Sequence, residues 1–113
     1  MMEKIAGINE MDIAIDVIRD EFAACGVGVK SILLFGSRAK GIAQHDSDWD
    51  FLVVVDRELE RNERLKIVGN IRRRLGKMLI PVDVIVKSEE SYLEQSKNVG
   101  YVTYYAAKEG VPV

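Results

Sequence analysis

A chain of 113 residues, 48% of them hydrophobic, can bury one core but leaves no room for a separate substrate-binding domain. Its formal net charge of −2 and sequence pI of about 5.4 exclude a general or sequence-specific nucleic-acid binder, because neutralising phosphates needs a basic surplus. Cys25 is the only cysteine, so no internal disulfide forms; no run reaches the length of a membrane span and no signal peptide opens the chain. The expectation is a cytoplasmic protein without membrane contact.

Met11, Ile15, Ile18, Phe22 and Cys25 recur at spacings of four and three, with Asp12, Asp16, Arg19 and Asp20 elsewhere, which predicts an amphipathic helix over 9–25. Gly26 ends it, and Cys25 packs there rather than reacting. Residues 31–36 follow as a first strand, 37–43 as a short helical turn and 49–55 as a second strand. A long helix is expected over 59–78, with Leu65, Val68, Ile71, Leu75 and Met78 as the stripe that covers the sheet. Its basic residues, including Arg72, Arg73 and Arg74 near the C-terminal end, suit the helix dipole and a solvated face.

Pro81 marks the break before a third strand at 82–86, and Ser88 with Glu89 and Glu90 reads as a helix start. Residues 89–108 are helical in one or two pieces, interrupted near Asn98 to Gly100, and Val111 to Val113 add a small edge strand. All four tyrosines, Tyr92, Tyr101, Tyr104 and Tyr105, lie in this tail, where they suit either an interface or packing on the chain's own core. The order α-β-α-β-α-β predicts an α/β (α+β) fold, one domain over 1–113, with a small mixed sheet and helices mainly on one face. Part of the other face then needs a partner or the tail to cover it.

The chemistry gathers at three points. Gly36 and Ser37 stand where the first strand turns, so backbone and hydroxyl can meet a phosphate. Asp48 and Asp50 open the second strand; two residues apart, they share a face with Cα atoms about 6.5–7 Å apart. Asp83 takes the same place in the third strand, and neighbouring strands lie about 4.8 Å apart, so the acids can converge. Carboxylates inside apolar runs are costly to desolvate, which implies a shared cation. Hard cations such as Mg²⁺ take carboxylate and phosphate oxygens, and a two-ion site spans about 3.5–4 Å.

For Gly36 and the acids to share one sheet end, the first strand must run against the second, and the second and third must be parallel. An isolated Asp-x-Asp would more often cap a turn, and Ser37 would serve equally as a helix N-cap. It is the joint pattern that is specific. His45, the only histidine, sits in the loop before the acids and reads as an exposed side chain.

Phe35-Gly36-Ser37-Arg38-Ala39-Lys40-Gly41, the ten residues from 38 to 47, Asp48-Trp49-Asp50 and the later Asp83 resemble the DNA polymerase beta-like nucleotidyltransferase superfamily, in particular its minimal nucleotidyltransferase branch. The resemblance covers essentially the whole chain. It implies that Gly36 and Ser37 hold a nucleoside triphosphate, that Asp48 and Asp50 coordinate two Mg²⁺ ions, and that Asp83 completes the site and helps activate an acceptor hydroxyl. Arg38 and Lys40 would add cations at the phosphates, Lys40 with a point charge where relatives often carry arginine.

The resemblance further implies transfer of AMP from ATP to a partner protein, as in antitoxins paired with HEPN-type ribonuclease toxins. Such a partner would dock over the face bearing Asp50, Leu52, Asp83 and Ile85. A non-catalytic antitoxin that neutralises its partner by contact, and a nucleotidyltransferase for a small molecule such as an aminoglycoside, stay open. So does a homo-oligomer.

Overall fold

The computed structural model describes residues 8–44 and 46–113, so His45, and with it the expectation of an exposed loop histidine, lies outside the described residues. The first helix, α1 (Ile8–Ala24), turns Ala14, Val17, Ile18 and Phe22 inward, each no more than 3% exposed. Gly26, at φ +69°, stops it: the Gly26 N–H donates to the Ala23 carbonyl and the Val27 N–H to the Phe22 carbonyl, both at 3.0 Å. A left-handed residue there satisfies carbonyls the helix would otherwise leave bare. Cys25 packs against the core beside this turn.

The chain continues through β1 (Val29–Phe35), α2 (Gly36–Lys40), β2 (Trp49–Val55), α3 (Arg61–Lys77), β3 (Val82–Ser88), α4 (Glu89–Gln95), α5 (Val102–Glu109) and β4 (Val111–Pro112). These form one four-stranded sheet in the order β3-β2-β1-β4. The directions are those that a site at one sheet end requires: β1 is antiparallel to β2 and β2 parallel to β3. β4 pairs with β1 at Leu33 and Leu34 as the expected short edge. The tail breaks between α4 and α5, across Asn98 to Gly100, and the Ser88 hydroxyl caps α4 by accepting the Ser91 N–H at 3.1 Å.

Alternation along the strands sorts side chains to two faces. Trp49, Phe51, Val53 and Val55 join Ile32, Leu34, Val82, Val84 and Val86 under α1 and α3. Leu33 and Leu52 point the other way, where Ala106 of α5 and Tyr92 of α4 meet them together with Phe35 and Ile85. The tail thus supplies the cover for the second face, and Leu52 is wholly buried. A partner therefore has no access to the Leu52 part of that face, contrary to the expected docking position.

The stripe on α3 also differs from expectation. Ile67, Ile71 and Leu75 are its buried residues, whereas Leu65 and Met78 are 52% and 48% exposed. At 3.6 residues per turn Leu65 lies about 120° around the axis from Ile71. Met78 falls just past the last turn, at the C-cap. Of the arginine cluster, Arg72 and Arg73 are exposed. Arg74 ties α3 to α1 through Glu21 at 2.8 Å and Asp20 at 3.6 Å.

Ile67→Ala should lower stability by about 2–5 kcal/mol, the range for emptying a packed core site. Met78→Ala should stay within about 0.5 kcal/mol, as a surface change does. Urea unfolding of the two variants checks the ranking.

Candidate active site

Phe35 ends β1 in extended conformation, directly opposite Asp50 on β2. The next residue, Gly36, turns the chain at φ +74°, a left-handed conformation that a side chain disfavours by about 1–2 kcal/mol. A Cβ at Gly36 would also run into the Asp50 carboxylate. The sequence suggested close approach of a phosphate as the reason for this glycine; the fold adds the neighbouring acid. Ser37 follows inside the first turn of α2 rather than as its N-cap, which is Phe35. The Ser37 carbonyl accepts the Ile42 N–H at 3.1 Å as the short helix closes.

The acids meet this turn from the far side. Asp50 and Asp83 are register partners on the parallel strands β2 and β3, and Asp48 lies two residues before Asp50 in the lead-in to β2. Ser47 shapes that lead-in: its hydroxyl accepts the Gln44 N–H at 2.8 Å and its N–H donates to the Gln44 carbonyl at 3.1 Å. Asp48 and Asp83 are exposed and Asp50 is partly buried, so only one acid is withdrawn from water, not two.

Burial raises the Asp50 pKa above its ordinary value, and the charges of Asp83 and then Asp48 raise it further. The three carboxylates are thus close enough to feel one another. Among the described residues, however, no three His, Cys, Asp or Glu side chains close into a ligand set. The donors suit a hard divalent cation: all are carboxylates, they repel as they stand, and the missing Cβ of Gly36 keeps room beside Asp50. Asp48, Asp50 and Asp83 are the residues that would hold it.

Both cations of the turn are engaged within the chain. The Arg38 guanidinium lies over the Trp49 ring, 4.3 Å from its centroid, and its Nη2 donates to the Ser47 carbonyl at 3.0 Å. The Trp49 indole N–H in turn donates to Glu10 Oε1 of α1 at 3.3 Å. Arg38 therefore clips α2 to the segment that carries Asp48. Lys40 pairs with Glu109 at the end of α5 at 3.3 Å, both about half exposed. Sequence reasoning missed Glu10, Ser47 and Glu109; Trp49 between the two acids was the only local hint of the first two.

Residues 18–100 match the family described as Polymerase beta, Nucleotidyltransferase, and the chain belongs to that family. No curated protein matches it in sequence. The solved structures that share its fold at low identity include these three. One, a toxin-antitoxin with AMP-PNP, is 20% identical with a TM-score of 0.60, over 93% of this chain and 72% of its own. A second, the toxin-antitoxin MntA-HpeT carrying two Asp-to-Glu changes, is 16% identical with a TM-score of 0.58, over 89% and 69%. A third, from Sulfolobus solfataricus and assigned provisionally as a nucleotidyltransferase, is 24% identical with a TM-score of 0.57, over 99% and 89%.

With its pKa raised in the fold, Asp50 binds more protons folded than unfolded over the pH range just above the ordinary aspartate value. Stability therefore falls as pH rises through that range, and the ionised carboxylate opposes folding at neutral pH. Asp50→Asn should remove this slope and raise the melting temperature at neutral pH without divalent ions, measured by thermal unfolding across a pH series.

Arg38→Ala should lower stability by about 1–3 kcal/mol through loss of the ring contact and the charged hydrogen bond. Arg38→Lys should recover only part of that, because an ammonium cannot both lie flat on Trp49 and reach Ser47 in the same fork. Denaturant midpoints of the two variants provide the check.

Proposed function

We propose that this protein transfers a nucleoside monophosphate, AMP from ATP, to a hydroxyl of a partner protein, and that the partner is a HEPN-type toxin which the transfer neutralises. The observation that carries this is the in-register pair Asp50 and Asp83 beside the turn at Gly36, in a chain that belongs to a nucleotidyltransferase family. The toxin-antitoxin neighbours support the partner class, and the AMP-PNP named with one of them supports an adenine nucleotide. In the other, the two aspartates changed to glutamate are separated by one residue, the spacing of Asp48 and Asp50 here. The domain acts as one unit over 1–113, in the cytoplasm; no described helix is long and apolar enough to cross a membrane.

Gly36 and Ser37 receive the triphosphate, since the turn offers peptide groups and a hydroxyl without a Cβ in the way. Asp48, Asp50 and Asp83 would hold two Mg²⁺ ions, which when bound neutralise charge on the attacking and leaving oxygens. The acceptor oxygen bonds to the α-phosphorus, the bond to the β-phosphate oxygen breaks, and pyrophosphate departs. Asp83, exposed at the rim, takes the hydroxyl proton. Lys40 can turn to the phosphates by releasing Glu109, a half-exposed pair of little net strength. Arg38 holds Ser37 and Asp48 at a set separation, through Trp49 and Ser47, and adds positive charge at the same end.

An antitoxin that acts by contact alone is the second possibility. The engagement of Arg38 and Lys40 within the chain favours it, because neither cation is held out for a ligand.

Co-expression with the partner, followed by intact-protein mass spectrometry, separates these. With ATP and Mg²⁺ the parent should add one or more AMP units to the partner. The Asp48→Asn/Asp50→Asn variant should bind the partner and leave its mass unchanged. Full neutralisation of an unmodified partner by both proteins would establish the contact mechanism instead, and labelling of a small hydroxylated compound with no bound protein would remove both.

A further inference from the structure

β3 is the last strand on its side of the sheet, so among the described residues no strand pairs with its outer edge. The Trp49 N–H donates to the Pro81 carbonyl at 2.9 Å, which sets the phase of the parallel ladder. Asp83, Ile85 and Lys87 turn their peptide groups toward β2, while Val82, Val84 and Val86 turn theirs outward. The strand is seven residues long and its register with β2 is unbroken. Such an edge is a template for another chain unless it is blunted.

A lone edge lysine is a common guard against pairing. Here Lys87 is matched by Asp83, four residues earlier on the same face. When two copies of Val82–Ser88 lie antiparallel about a two-fold axis at Ile85, each Asp83 stands opposite Lys87 of the second copy. Ile85 meets its own counterpart. Val84 faces Val86 of the second copy, and since both turn peptide groups outward, they exchange a full pair of backbone hydrogen bonds.

The Asp–Lys pairs then occupy the non-hydrogen-bonded positions, where Cα atoms come within about 4.5 Å and side chains interact most strongly. Neighbouring registers lose this match. An axis at Val86 sets Asp83 against Glu89 of the second copy, and an axis at Val84 sets it against Ile85. None of the salt bridges among the described residues uses Asp83 or Lys87.

We infer that this protein forms a two-fold dimer through antiparallel pairing of β3 with β3 of a second copy, in the register that sets Asp83 against Lys87. The dimer joins two four-stranded sheets into one. It also gives Leu65 a role. Half-exposed Leu65 and Val68 of α3 line an open groove of about 320 Å³ along this edge with Val84 and Ile85, and an added strand closes it. The pairing engages Asp83, which the proposed transfer also uses at its metal site; association is measured without nucleotide, metal or toxin, so the two readings fail separately.

Sedimentation equilibrium of the whole chain over a concentration series should reach twice 12.7 kDa. Lys87→Asp and Asp83→Lys, each placing like charges face to face, should both shift the protein to monomer. The double variant Asp83→Lys/Lys87→Asp should restore the dimer, which neither misfolding nor a general change of charge would do. In the parent, amide exchange at Val84 and Val86 should slow as concentration rises, and this arm decides the matter if a single reversal fails to fold. A parent monomeric at every concentration, a dimer that survives both single reversals, or a folded double variant that stays monomeric would each overturn the inference.

Discussion

The direction and register of β2 against its two neighbours is the constraint from which the rest of the molecule follows. β2 lies between β1 and β3, and Phe51 to Val55 are almost completely buried, on both faces. Because side chains alternate, one register assigns Trp49, Phe51, Val53 and Val55 to the helices α1 and α3, and Asp50 and Leu52 to the opposite face. A slip of one residue would drive Asp50 into the main core and turn Phe51 to the opposite face. The hydrophobic pattern that secures the core therefore also aims the acid at the sheet end. Antiparallel pairing with β1 then delivers Gly36 to that end, and parallel pairing with β3 delivers Asp83.

The functional end is held at some cost to stability. Asp50 gives up part of its hydration and lies near two more carboxylates, and Gly36 adopts a conformation that other residues resist. Compensation comes from beyond the acids. The chain of contacts from Glu10 through Trp49 to Arg38 and Ser47 joins α1, β2 and α2 behind the site. A charge-assisted hydrogen bond and a cation on an indole face are among the stronger polar contacts available in a part-buried place.

The tail links the second face to the same end. Ala106 and Tyr92 bury Leu33 and Leu52, and Glu109, at the end of α5, reaches Lys40 of α2. Tyr101 and Tyr105 remain about half exposed, while Tyr92 is packed. Of the two roles their composition allowed, packing on the chain's own core is the one Tyr92 takes. The middle of that face is filled by the chain itself, while Asp48 and Asp83 stay exposed.

The sequence by itself determined the element order, the limits of β2, the alternation that puts Asp48 and Asp50 with Leu52, and the need for a mixed sheet. These rest on periodicity and covalent spacing, which act over a few residues. The grouping of Gly36, Asp48, Asp50 and Asp83 was legible for the same reason, as each lies at or beside a strand end. Tertiary structure alone decided which side chains are covered. Leu65 and Met78 fit a helical stripe yet are half exposed, because burial depends on where α3 lies against the sheet and where it ends. Asp83 lies in an apolar run yet faces water, because β3 is an edge strand. Arg38 and Lys40 share one short helix, but their partners, Trp49 and Glu109, come from separate elements that only the folded chain brings beside them.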